Sequence, residues 1–133
     1  MKRLTLDVRP GEYTVARLAS AADPPVSLFA AEADLVSITR TDKETSVVCP
    51  SSLWAGTDGR READWRLLSV RGPLEFTLTG IIAVLSSDLA AAGVAIFSLS
   101  TYDTDHLLVK QADLERAIRA LRASGHEVHE DAA

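Results

Sequence analysis

The stretch Phe97-Ser-Leu-Ser-Thr-Tyr-Asp-Thr-Asp-His-Leu-Leu-Val-Lys-Gln-Ala-Asp-Leu114 constrains this chain more than any other. It reads as strand, turn, strand and helix start. A faint copy stands earlier, at Val36-Ser-Ile-Thr-Arg-Thr-Asp-Lys-Glu-Thr-Ser-Val-Val-Cys-Pro-Ser-Ser-Leu53. The two align without a gap: Ser37 falls on Ser98, Asp42 on Asp103, Val48 on Val109 and Leu53 on Leu114. Ile38 and Leu99, Thr39 and Ser100, and Glu44 and Asp105 are conservative matches. An internal duplication sets the organisation of the molecule. The expected units are residues 1–62, a degenerate first copy, and residues 63–133, a complete second one.

The first half is strand-rich. Leu4, Leu6 and Val8 alternate with polar residues, and Pro10-Gly11 turns the chain. Tyr13, Val15 and Leu18 predict a second strand, paired with the first as a hairpin. Pro24-Pro25 opens only a short helix, with Asp23 as its cap. Strands follow at Leu35–Thr39 and Ser46–Val48, then a linker over Pro50–Asp64 with one helical turn. In the second half Trp65–Val70 is a strand, broken by Arg71-Gly72-Pro73. A helix is expected from Thr77 or Thr79, with Leu78, Ile82, Leu85 and Leu89 on its buried face and Gly93 as a left-handed cap. Val94–Ser100 is apolar on both faces and reads as a central strand. Leu107–Val109, a helix with Leu114, Ile118 and Leu121 that ends at Gly125, and an edge strand at His126–Glu130 complete the order. That order is β-α-β-β-α-β. It defines an α+β, ferredoxin-like fold, with two helices on one face of an antiparallel sheet.

Charge and composition narrow the function classes. The chain has 133 residues and a net charge of −5, with no Lys/Arg-rich block, which argues against nucleic acid and anionic membranes. Met1–Val8 lacks the apolar core of a signal peptide, and Ser86, Ser87 and Asp88 interrupt the one long apolar region. Cys49 is the only cysteine, which fits a reducing, cytoplasmic compartment and a buried structural thiol. His106, His126 and His129 show no metal-ligand spacing, and Trp54 and Trp65 read as packing residues. The sequence holds no phosphate loop, nucleophile elbow or paired acid and base, so it calls for no cofactor and suits binding better than turnover.

Gly80-Ile81 near a helix start, followed by Ser100-Thr101-Tyr102-Asp103-Thr104-Asp105, Leu107-Leu108-Val109 and Asp113-Leu114, resembles the ACT domain, a βαββαβ regulatory module that binds amino acids. The resemblance is to the stand-alone, tandem-ACT branch of the CASTOR arginine sensors and of bacterial ACT proteins of unassigned role. Ile38-Thr39-Arg40-Thr41 and Glu44-Thr45-Ser46-Val47-Val48 resemble that branch's first, degenerate unit. The sensors carry two such tandem pairs and this chain one, so the resemblance implies a homodimer.

From the residues alone, the region of Thr77, Leu78, Thr79, Gly80 and Ile81 reads either as simple helix capping or as a carboxylate site on free N–H groups and the helix dipole. Asp103 and Asp105 read as turn residues. The resemblance implies a ligand amino acid at the helix start, with Thr101 and Tyr102 lining the same pocket and Asp105 facing a cationic side chain. It also implies that Ala95 and Ile96 approach the ligand from a neighbouring unit. A free amino acid, a second copy and an unidentified protein partner are the implied partners. The competing readings are an adaptor that has lost its ligand and, behind it, a small enzyme.

Overall fold

The computed structural model describes residues 3–30, 32–54, 60–74 and 80–130. In chain order its elements are β1 (Thr5–Val8), β2 (Tyr13–Leu18), α1 (Ser27–Ala30), β3 (Ser37–Arg40), β4 (Thr45–Pro50), β5 (Arg60–Val70), α2 (Ile81–Ala91), β6 (Ile96–Ser100), β7 (Asp105–Lys110), α3 (Leu114–Ala123) and β8 (Glu127–His129). Single 3₁₀ turns follow β4 at Ser51–Leu53 and β7 at Gln111–Asp113. The chain divides into two compact units, Met1–Pro10 with Arg66–Ala133, and Gly11–Trp65. No helix among the described residues is long and apolar enough to cross a membrane.

The larger unit is the expected β-α-β-β-α-β arrangement with one strand added. Its sheet runs β8-β1-β5-β7-β6. β1 is antiparallel to β5, with Leu6 opposite Val70, and parallel to β8, with Leu6 opposite Val128. One sheet face carries Leu4, Leu6, Val8, Leu68, Val70, Leu107 and Val109, and α2 and α3 cover it with Ile81, Leu85, Leu89, Ala117, Ile118 and Leu121. Fully burying a Leu or Ile side chain stabilises by roughly 1.5–3 kcal/mol, so this face drives the fold. Both helices end as the sequence indicates. Gly93 takes φ +76° while Val94 N–H donates to Leu89 O; Gly125 takes φ +95° while His126 N–H donates to Leu121 O.

The smaller unit packs Ala16, Leu18, Val47 and Cys49 against Leu28 of the short α1. β4 lies between β2 and β3. The duplication is visible here in a register one residue away from the ungapped alignment. Thr45–Pro50 returns 60 residues later as Asp105–Lys110, and Ser51–Leu53 as Gln111–Asp113. Thr41 N–H donates to Glu44 O as Thr101 N–H donates to Thr104 O. Val47 and Cys49 face their helix as Leu107 and Val109 face theirs. Pairing Val48 with Val109 would put partners on opposite faces, because side chains alternate along a strand.

Four further expectations change. The expected hairpin of the first two strands does not form: β1 pairs with β5 and β8, while β2 pairs with β4 and β5. The reason is the length of β5, which meets β2 along residues 60–65 and β1 along 68–70. The first strand therefore joins residues 66–133, not the unit expected at 1–62. Residues 60–64, read as linker, belong to β5; the pairing slips by one residue between Tyr13 and Val15, and Asp64 takes φ +65° there, as at a bulge. β6 is not central. It pairs only with β7 among the described residues, and its apolar side chains are half-buried at the sheet's end. The α2 helix begins at Ile81, with Gly80 as its left-handed N-cap residue, φ +83°; the expected starts Thr77 and Thr79, and Leu78 of the stripe, lie outside the described residues.

Candidate functional site

The start of α2 and the β6–β7 turn meet within the larger unit around a cavity of about 360 Å³. Gly80, Ile81, Ile82 and Ala83 form one wall, Ser100 to Asp105 another, and Leu74 a third. Its size falls within the roughly 300–1,000 Å³ of small-molecule sites.

The helix wall is polar for a backbone reason. The first four N–H groups of an α-helix, counted from the N-cap residue, have no partner within it. Among the described residues no side chain caps α2, and its first internal bond runs from Val84 N–H to Gly80 O, at 3.0 Å. A Cβ placed on Gly80 would meet nothing within 4 Å, so this wall is open. The N–H groups of Ile81, Ile82 and Ala83, with the helix dipole behind them, favour an anion.

The opposite wall is a hydroxyl-rich turn ending in a carboxylate. Thr101 N–H donates to Thr104 O at 2.9 Å, closing the turn, and the Thr101 hydroxyl lies 3.2 Å from the same oxygen. Ser100 Oγ donates to Asp105 Oδ1 across the hairpin, where the two residues are cross-strand partners. Two bonds tie this turn to the loop after β5: Thr104 Oγ1 donates to Val70 O at 2.7 Å, and Leu74 N–H to Asp103 O at 2.8 Å. Gly72 lies under this tie. A Cβ there would stand 3.1 Å from both Asp103 O and Thr104 Cβ. Tyr102 projects outward, 82% exposed.

Of the residues singled out from the sequence, Gly80, Ile81, Thr101, Tyr102 and Asp105 line this one cavity. Thr77, Leu78 and Thr79 lie outside the described residues. Ala95 and Ile96 do not line it: Ala95 is exposed just before β6, and Ile96 packs against the core at the far end of that strand from Ser100. The structure adds Leu74, Ile82, Ala83, Ser100, Asp103 and Thr104. Ser100, Asp103 and Thr104 stand inside the quoted motif and were open to sequence reasoning. Leu74 reaches the site only through the tertiary bond to Asp103 and had no local signal. No group of three or more His, Cys, Asp or Glu able to hold a metal occurs among the described residues.

Comparison with known proteins places this geometry in context. The family model of the ACT domain matches residues 60–123, and the model of a separate N-terminal domain family matches residues 11–53. Over 82 residues the chain is 35% identical to the cytosolic arginine sensor for mTORC1 subunit 1 of Homo sapiens. That match covers 61% of this chain and 24% of the sensor, so the chain spans about a quarter of that relative's length. The crystal structure of protein Atu0741 from Agobacterium tumefaciens superposes with a TM-score of 0.88 at 36% identity, covering 100% of this chain and 97% of that one. The regulatory subunit of aspartate kinase from Thermus flavus shares the fold alone: TM-score 0.63 at 12% identity, covering 92% and 99% of the two chains.

Proposed function

From the match of residues 60–123 to the ACT-domain family model, we propose that this chain is an amino-acid-binding regulatory protein whose ligand sits between the start of α2 and the β6–β7 turn. One observation carries the reading: the first turn of α2, whose N–H groups no side chain among the described residues caps, and Asp105 line the same cavity. A free amino acid has matching ends. Its carboxylate meets the N–H groups of Ile81 and Ile82, its amino group the backbone at Thr101 and Tyr102, and a basic side chain Asp105. The relative named as an arginine sensor supports a basic ligand. The neighbouring residues provide binding and orientation, and the reading gives none of them a catalytic step.

The proposal includes a homodimer that completes the site. Among the described residues β6 pairs with β7 alone, and it carries no charge, proline or bulge, the devices that usually block strand pairing. Two copies paired about a two-fold axis through β6 bring Ala95 and Ile96 of one copy toward Ser100 and Thr101 of the other. Light scattering at micromolar concentration tests this half of the proposal; a strictly monomeric species with and without ligand refutes it.

The ligand is tested by calorimetric titration with arginine, lysine and leucine. Asp105→Ala is expected to weaken a basic ligand by roughly tenfold to a hundredfold, since a charge-assisted hydrogen bond contributes about 1.5–3 kcal/mol, and to leave leucine unaffected. If no amino acid binds the wild type at millimolar concentration, the adaptor reading replaces this one.

A further inference from the structure

The duplication gives the smaller unit its own version of the β6–β7 hairpin, and its strand ends differ in a telling way. Shifted by 60 residues, Arg40 stands where Ser100 stands and Thr45 where Asp105 stands. Both pairs are cross-strand partners at the mouth of their hairpins. In the larger unit the pair is short and borders the cavity. In the smaller unit Arg40 reaches from the hairpin to the loop between β2 and α1. Its Nε donates to Thr45 Oγ1 at 2.9 Å, its Nη2 donates to Ala22 O, and Nη2 stands 4.0 Å from Asp23 Oδ1. Thr45 is fully buried, and its hydroxyl donates to Ser20 O at 3.1 Å.

We infer that Arg40 is a built-in ligand: its half-exposed guanidinium occupies, in the smaller unit, the place that a free ligand takes in the larger one. The acceptors form a cation site of defined shape. A hydroxyl oxygen and a backbone carbonyl accept from two nitrogens of one planar fork, with an exposed carboxylate 4.0 Å away, an arrangement that suits a guanidinium better than an ammonium. The loop after β2, which Thr45 also holds at Ser20 O, is fastened to the hairpin through this side chain. Each chain then takes one free ligand, not two. That count rests on the amino-acid-binding reading; the cation site in the smaller unit does not.

The test is chemical rescue. Arg40→Ala is expected to lower the thermal midpoint, and methylguanidinium at about 50 mM to raise it again by about 2–4 °C, as a millimolar ligand of the native state should. The wild type and Arg17→Ala should show no such rise. Arg17 is the control because its guanidinium makes a single bond to Lys43 O, at 3.1 Å, in the same unit. No rise in Arg40→Ala, or an equal rise in either control, overturns the inference. If Arg40→Ala does not fold, its refolding yield with and without methylguanidinium decides in the same way. Absence of amino-acid binding to the wild type refutes the proposed function and leaves the rescue result standing.

Discussion

His106 follows Asp105 on β7 and points to the sheet face away from α2 and α3, since its neighbour Leu107 lies in the helix-covered core. Its Nδ1 is 2.9 Å from the hydroxyl of Ser69, a buried residue of β5. Burial, and next the positive charge of Arg9, lower its pKa from 6.5; the Asp105 carboxylate opposes them. A histidine depressed in this way is neutral in the native state, while the unfolded chain takes up a proton below about pH 6.5. Its contribution is complete above that pH and is lost as pH falls toward the folded value. Acid titration of urea-unfolding free energies should therefore fall less steeply for His106→Gln than for wild type just below pH 6.5. The difference is bounded at about 1.4 kcal/mol per pH unit and reduced by solvent at this half-exposed ring. Parallel slopes for the two proteins refute the assignment. Cys49 was readable from sequence as a buried thiol, and it is fully buried with its pKa raised by desolvation. The Ser69–His106 contact was not readable, because it joins residues on different strands that no spacing relates.

At the scale of elements, the α2 start shows where sequence signals stop. The helix stripe was legible at Leu85 and Leu89, and Ile82 packs beside them half-buried. The first residue was not legible, because two threonines and a glycine all offer starts and only the backbone chooses. Gly80 takes φ +83° with open space around it, so an added methyl group meets strain and no clash. Gly80→Ala should cost about 1–2 kcal/mol in urea unfolding, and Gly80→Asn less, since Asn tolerates the left-handed region. Equal stability for all three proteins shows that the helix starts elsewhere. The duplication was legible as well, but not its register. Residue identity scores Val48 against Val109; the Thr41 and Thr101 turns and the alternation of buried side chains decide for 60. β6 misled for a related reason. Apolar residues on both faces mark a central strand in general, and here they stand at a sheet end.

At the scale of the molecule, the largest departure from expectation is β1. Alternation of Leu4, Leu6 and Val8 revealed a strand, and Pro10-Gly11 gave the turn after it. Which strands it joins depended on the length of β5, which sequence punctuation understated because residues 60–64 are charged and exposed. Inserted between β5 and β8, β1 is bonded on both sides: Arg71 N–H donates to Thr5 O at 2.7 Å, and Glu127 N–H to Leu4 O at 2.9 Å. The buried ring of His126 accepts Leu4 N–H at Nδ1, 3.1 Å away. Its Nε2 stands 3.5 Å from Asp88 of α2, beyond good hydrogen-bond length. Leu6 is completely buried in this seam. Leu6→Ala should destabilise the protein by about 2–5 kcal/mol, a large share of the roughly 5–15 kcal/mol of a whole domain. Equilibrium denaturation measures it; a loss below about 1 kcal/mol means that β1 is dispensable to this sheet.

The placement of β1 also governs what happens on the ribosome. β1 is flanked by one strand synthesised about 60 residues after it and another synthesised near residue 127. At about 5–20 residues per second, roughly ten seconds separate the emergence of Val8 from that of β8. For the later part of that interval β1 has only its β5 partner, while Gly11–Trp65 already has its own strands in hand. Gly11–Trp65 is thus fully synthesised well before the sheet that flanks β1 on both sides can close.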